Sequence, residues 1–258
     1  MAENDEDASL VKGSAIAKVC SILKSLSEKS PQRLNALADR TNLNRATAFR
    51  ILEELAVAGF VVKRGQPPGY AFGPESLAMA AASSRSLNIR TAARPSLLKL
   101  AHLSGDTALL TVRSGSEAVC IDRVIGEYPI RANRLNVGSR VPLGISAGSM
   151  ALLAFLPDAE RAAVLEITCS RLGAFPRFNR EKLQEYIEDA CDRGIVTMYD
   201  IIVDNLGAIA MPLRDQSGNV FAALSIASLS TRIWEREAEL VSMMTTEAKA
   251  IAKALWRS

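Results

Sequence analysis

The sequence is poor in the residues on which most enzyme chemistry runs. It has one histidine, His102, and four scattered cysteines, Cys20, Cys120, Cys169 and Cys191, with no CxxC pair. A lone histidine argues against a His-rich metalloenzyme and against a Ser-His-Asp hydrolase. The cysteine spacing fits neither a zinc site nor a disulfide frame, and the four read as reduced thiols. A cysteine nucleophile at Cys169 or Cys191, activated by His102, is a chance pairing and is set aside. No P-loop, GxGxxG or GxSxG is present. No catalytic residue, metal or cofactor is therefore expected, and the chain reads as a non-enzyme. Long apolar runs are missing too. The longest, Leu143 to Leu156, spans 14 residues and is interrupted by Ser146 and Ser149, too short to cross a bilayer. The opening MAENDEDASL carries four acids and no base, which predicts neither a secretory signal nor a transit peptide. The expectation is a cytoplasmic protein without a membrane partner.

What is present is a chain of 258 residues, 48% hydrophobic and 23% charged, the composition of a soluble globular protein with one long domain or two ordinary ones. The net charge of +3 hides an asymmetry. Residues 1–10 are net −4, residues 11–75 carry ten Lys/Arg against five acids, and residues 76–258 are nearly balanced. A compact basic segment beside a neutral one suggests a nucleic-acid module joined to something else.

Helical spacing places Ile16, Val19, Leu23 and Leu26 on one face of a helix capped by Ser14. Ser30-Pro31 ends it. A short helix over 35–40, capped by Asn35, points Leu37 and Ala38 inward. Thr41-Asn42-Leu43 is a tight turn, and Asn44 caps a third helix that stops at Gly59. There, Ala48, Ile51, Leu52, Leu55 and Ala58 share one face, with Ala46, Phe49, Arg50 and Glu53 opposite. FVVKR and Tyr70-Ala71-Phe72 then read as strands about a GQPPG turn. Helix, helix, tight turn, helix and β-hairpin is the order of a winged helix-turn-helix. Its third helix fits the major groove and presents first-turn side chains to base edges. Asn44, Arg45, Thr47, Phe49 and Arg50 are the candidate contacts there. Lys63 and Arg64 on the wing are the candidate phosphate contacts.

The segment PESLAMAAASSRSLNIR suits a linker helix over 74–90, with Leu77, Ala78, Ala81 and Ala82 as a stripe for self-association. Beyond it the spacing predicts helices over 95–103, 146–156, 158–168, 179–193 and 233–255. Strands are expected over 106–113, 118–124, 129–133, 194–200, 208–213 and 220–228. This is an α+β domain with an antiparallel sheet. The divisions are an acidic flexible tail (1–12), the winged domain (13–73), the linker helix (74–90) and an effector-binding domain (91–258).

LADRTNLNRATAFRILEELAVAGFV followed by YAFGP, with VGSRVPLGISAGSMALLAFLP and GAIAMPLRDQSGNVFAALSIASLSTR downstream, resembles the IclR-type bacterial transcription regulators over nearly the whole chain. The resemblance rests on Thr47, Arg50, Gly59-Phe60, Tyr70 and Gly73-Pro74 in the first half. It implies a GAF-like effector-binding domain, assembly as a homodimer or homotetramer, and control of catabolic operons through a small organic-acid effector. By position it points to Met198, Ala208, Ser225 and Ala227 as pocket residues. Ser149-Met150-Ala151 stands where the family often has Gly-Lys-Ala. Met198, Ala208 and Ala227 are less polar than the family's residues there, which favours a bulkier or aromatic acid. The residues themselves add Ala147, Gly148 and Ser149, because a helix start presents unpaired N–H groups to a carboxylate, and Asp200 as an acceptor for a ligand hydroxyl. Two readings compete with an effector-responsive binder of double-stranded operator DNA. One is a DNA-binding protein with a purely dimerising C-terminal domain, and the other is a small-molecule enzyme capped by the N-terminal helices.

Overall fold

The computed structural model describes residues 13–83, 89–130, 135–171, 174–175 and 177–256. The acidic segment expected as a flexible tail lies outside these residues, as do the linker positions 84–88. The chain divides into two compact units, Met1–Leu87 and Asn88–Ser258.

The first unit contains α1 (Ala15–Glu28), α2 (Leu34–Thr41), α3 (Arg45–Val57), β1 (Val61–Arg64), β2 (Gly69–Phe72) and α4 (Pro74–Ser83). Ser14 and Asn44 cap α1 and α3, accepting the N–H groups of Ala17 at 3.0 Å and Thr47 at 2.8 Å. Asn42 takes the left-handed turn between α2 and α3, with φ 53°. Ile22, Leu26, Leu37, Ala48, Leu52 and Val61 form the core; each large aliphatic among them contributes about 1.5–3 kcal/mol of burial. Three details differ from the sequence reading. Ile16 is 77% exposed and Ile22 is buried in its place, because nothing in the described unit covers the first turn of α1. Asn35 lies inside α2 rather than capping it. Ala58 follows α3 and is exposed. The wing closes on itself at Gly73: its N–H donates to Phe60 O at 2.8 Å, and a Cβ there would stand 2.2 Å from Gly59 O. Gly-Pro after the wing is thus a packing requirement.

The second unit runs α5 (Ile89–Ser104), β3 (Thr107–Ser114), β4 (Glu117–Val124), β5 (Arg140–Pro142), α6 (Ala147–Ala154), α7 (Asp158–Cys169), α8 (Arg180–Arg193), β6 (Val196–Tyr199), β7 (Leu206–Arg214), β8 (Val220–Leu229), α9 (Ser230–Glu235) and α10 (Glu237–Leu255). The strands form one antiparallel sheet in the order β5-β4-β3-β8-β7-β6. Strand periodicity sends Leu110, Leu224 and Ile226 to one face, against α5 and α10. The opposite face, with Ala210 and Ala223, packs on α6 and α8. All eight residues of α6 are buried, which accounts for the apolar run seen in the sequence.

Here too the structure corrects several expectations. Helix α5 begins at Ile89 and runs through Pro95. Proline favours a first helical position, but Ile89 and Ala93 join the core beside Leu97 and Leu100, so tertiary packing carries the helix past the lost hydrogen bond. Residues 129 and 130 are a bend, and residues 131–134 of the expected strand lie outside the described set. Tyr128 N–H donates to Gly105 O at 2.8 Å, turning this segment away from the sheet, and the strand beside β4 is β5. The expected terminal helix is two helices, broken at Arg236, whose guanidinium donates to Ser104 O at 2.8 Å. Gly194 caps α8 in the left-handed region, φ 72°, so the next strand starts at Val196.

Candidate functional site

In the first unit the outward side of α3 carries Arg45, Phe49 and Arg50, all exposed. Phe49 keeps 46% of its surface. Asn44 spends its side chain on the cap, and Thr47 is half-buried. Arg64 is exposed at the end of β1. Lys63 is engaged within the protein: its Nζ lies 2.7 Å from a Glu53 carboxylate oxygen. The Tyr70 hydroxyl donates to the same Oε1 at 3.1 Å. The Lys63 contact holds the Glu53 carboxyl below its usual range, and Glu53 in turn raises the Lys63 ammonium. Burial, more than the Glu53 contact, pushes the Tyr70 phenol up.

In the second unit a cavity of about 100 Å³ opens between the sheet and the start of α6, room for several water-sized groups. Ala147, Gly148, Met198, Ala208, Ser225 and Ala227 line it. Two of the sequence candidates do not. Ser149 is fully buried in a capping box: Ser146 N–H donates to its Oγ at 2.8 Å, and its own N–H donates to Ser146 Oγ at 3.4 Å. Asp200 has left-handed backbone, φ 57°, and its Oδ1 accepts from the Ser230 hydroxyl at 2.9 Å.

Sequence reasoning missed Leu109 and Thr111 on β3, Leu135, Ile145, Ser146, and the wall formed by Ile201, Ile202, Val203, Leu206 and Gly207. A signal existed for the wall: three consecutive β-branched residues between Asp200 and Asp204, where an exposed loop would be polar. The loop is tied down at both ends. Asp200 N–H donates to Leu206 O at 3.0 Å, and Ser230 N–H donates to Asn205 O at 2.9 Å.

Among the described residues, no charged side chain lines the cavity. Its polar groups converge at one end. Thr111 and Ser225 are 3% and 5% exposed, and among the described residues neither hydroxyl has a hydrogen-bond partner. Both face Gly148: a Cβ on that glycine would stand 3.2 Å from Thr111 Oγ1 and 3.5 Å from Ser225 Oγ. The first-turn N–H groups of Ala147 and Gly148 have no intrahelical acceptor. Two hydroxyls, two amides and a helix start meet there, while the far end is aliphatic.

Among the described residues no group of three or more His, Cys, Asp or Glu is placed to hold a metal, and no helix is long and apolar enough to cross a membrane.

A winged helix-turn-helix followed by a sheet-and-helix unit is the architecture of a ligand-sensing class of bacterial regulators, and comparison with known proteins gives the family. Residues 15–65 match the IclR helix-turn-helix domain, and residues 81–253 match the bacterial transcriptional regulator IclR C-terminal domain. The chain belongs to the IclR family of bacterial transcriptional regulators. It is 26% identical over 254 residues to the HTH-type transcriptional regulator KdgR of Escherichia coli (strain K12), covering 98% of this chain and 96% of that protein. It is 25% identical over 225 residues to the HTH-type transcriptional regulator KipR of Bacillus subtilis (strain 168), covering 87% and 89%. Its fold resembles that of an IclR homolog from Microbacterium hydrocarbonoxydans, solved as a complex with 4-hydroxybenzoate. The TM-score is 0.78 at 24% identity, covering 95% of this chain and all of that one.

Proposed function

We propose that the protein is an effector-responsive regulator that binds operator DNA in the cytoplasm and changes its occupancy when a small aromatic carboxylic acid enters the second unit. The observation that carries this is the pair of hydroxyls on the buried residues Thr111 and Ser225, which have no partner among the described residues and open to a cavity at the start of α6. Each hydroxyl has a proton to donate into that space, so the two together mark a place for an acceptor. A carboxylate supplies that acceptor, and the helix start offsets its charge. The aliphatic wall from Ile201 to Val203 suits a ring. The homolog solved with 4-hydroxybenzoate supports this class. A catabolic operon for such acids is the fitting target.

On the DNA side, Arg45, Thr47, Phe49 and Arg50 read base edges, with Phe49 meeting thymine methyls, and Arg64 meets a phosphate. Asn44 orders the helix start beneath them. The protein acts as a dimer or tetramer, since a two-fold axis sets paired half-sites; Leu77, Ala78, Ala81 and Ala82 on α4 are exposed and offer a stripe for that contact. Calorimetric titration of the full chain with 4-hydroxybenzoate, benzoate and pyruvate tests the effector. Binding of the aromatic acids is expected. No binding of any of them favours a purely dimerising second unit.

A further inference from the structure

The contacts of Lys63 separate it from Arg64, its neighbour on the wing. Lys63 and Tyr70 face each other across the β1/β2 pair, and both reach the same carboxylate oxygen of Glu53, one helical turn beyond Phe49 on α3. The Lys63 ammonium also lies 5.9 Å from the Phe49 ring centroid and 5.6 Å from that of Tyr70. Tyr70 is itself anchored. Its N–H donates to Gln32 O at 2.7 Å, and Gln32 N–H donates to its carbonyl at 2.9 Å. One oxygen on the recognition helix thus collects a group from each strand of the wing, and one of those groups is fixed to the loop between α1 and α2.

We infer that Lys63 is a positioning residue: with Tyr70 it clasps Glu53 and holds the wing to the recognition helix, leaving Arg64 as the wing's phosphate contact. The charge arithmetic supports this. Lys63 and Glu53 together are neutral, and releasing Lys63 to a phosphate would leave the Glu53 carboxylate facing the DNA backbone. A lysine already paired with a carboxylate displaces few counterions when it meets DNA. An exposed ion pair alone contributes little; here the two-strand geometry and the buried tyrosine turn the contact into a fastening. Arg64 forms no ion pair among the described residues and is exposed. The inference replaces the expectation that both wing cations touch phosphates, and its DNA half rests on the proposed wing–DNA interface.

Two measurements on the full chain test it. The first is amide hydrogen exchange of the wing in the parent, Lys63→Met, Glu53→Gln and Lys63→Arg proteins. Protection of the β1/β2 amides should fall about 1.4- to 5-fold in the first two variants, the range expected for losing an exposed pair, and return in Lys63→Arg. The second is the salt dependence of binding to a duplex of random sequence. Arg64→Met should lower the slope of log affinity against log salt by about 0.9, and Lys63→Met by less than half of that. Unchanged wing protection in Glu53→Gln overturns the clasp. A slope loss in Lys63→Met equal to that of Arg64→Met overturns the assignment of roles. A parental slope in Arg64→Met overturns the phosphate contact and the wing–DNA interface beneath it, whereas the exchange arm still decides the clasp by itself.

Discussion

Replacing Thr111 by valine separates a ligand site from a merely packed core, because the two predict opposite signs. Valine keeps the β-branched shape that suits a strand and deletes only the hydroxyl. In an ordinary buried site that loss costs about 1 kcal/mol, because a hydrogen bond goes with it. Here Thr111 is buried with no partner among the described residues, so nothing is broken in the ligand-free protein. The hydroxyl faces a cavity roomy enough for water, which meets part of its need. The expected change in stability is therefore from zero to a gain of about 1 kcal/mol, a rise in melting temperature of no more than about 2–4 °C for a unit of this size. With the effector bound the sign reverses. A hydrogen bond to a charged group contributes about 1.5–3 kcal/mol, so affinity for a carboxylate should fall roughly 10- to 150-fold. Thermal melts and calorimetry with 4-hydroxybenzoate on parent and variant read both numbers. A loss of more than about 1 kcal/mol in the ligand-free protein, or parental affinity in the variant, would refute the reasoning.

Gly148→Ala should leave stability nearly unchanged, because the helix gain of about 1 kcal/mol is offset by crowding at Thr111 Oγ1, 3.2 Å away. It should weaken 4-hydroxybenzoate binding at least about tenfold, because the added methyl lies against both hydroxyls and keeps a carboxylate from one of them, as calorimetry will read. Arg50→Ala should reduce operator affinity by about 1–3 kcal/mol and relax preference at one base position; footprinting at unchanged protein concentration would contradict this. At high pH the signs follow from burial. It pushes the Cys120 thiol up to about 11 from 9.0, and burial with the nearby Glu237 pushes Tyr199 up to about 12 from 10.0. The unfolded chain sheds both protons first, so stability is present in full below pH 9.0 and falls as pH rises towards about 12. A urea midpoint that does not move across this window would contradict it, as would Cys120 alkylating as fast as the exposed Cys20.

The winged unit was legible because its information is local. Caps at Ser14 and Asn44, the turn at Asn42 and the stop at Gly59 are written within a few residues of the elements they bound. Where the reading slipped there, as with Ile16, exposure depends on whether another element covers the face. The second unit was harder. Its two central strands, β3 and β8, are neighbours in space but more than 100 residues apart, and their register, Leu109 opposite Ser225, has no local signature. That register sets Thr111 diagonal to Ser225, and the packing of α6 on the sheet then brings both beside Gly148, which is why Thr111 went unnoticed while Gly148 did not. Ser149 misled for a related reason: a serine in the first turn of a helix looks available to a ligand until its cap partner, Ser146, is seen. Helix continuity past Pro95 and its break at Arg236 were likewise decided by distant partners, the core around Leu97 and the Ser104 carbonyl.

The burial of α6 on every side also bears on how such a regulator acquires a new effector. A helix without a solvent face has no position at which a substitution is free; enlarging Ala147, Ala151 or Ala154 overpacks the core, and shrinking Leu152 or Leu153 leaves a void costing about 2–5 kcal/mol. Substitution at the amide end of the cavity is consequently costly. The segment from Ile201 to Val203 is half-exposed, and its side chains can be exchanged at little cost to the fold. A change of ligand preference is therefore cheapest from one side: the proposed anchor at α6 resists substitution, while the wall that would measure the rest of the molecule tolerates it.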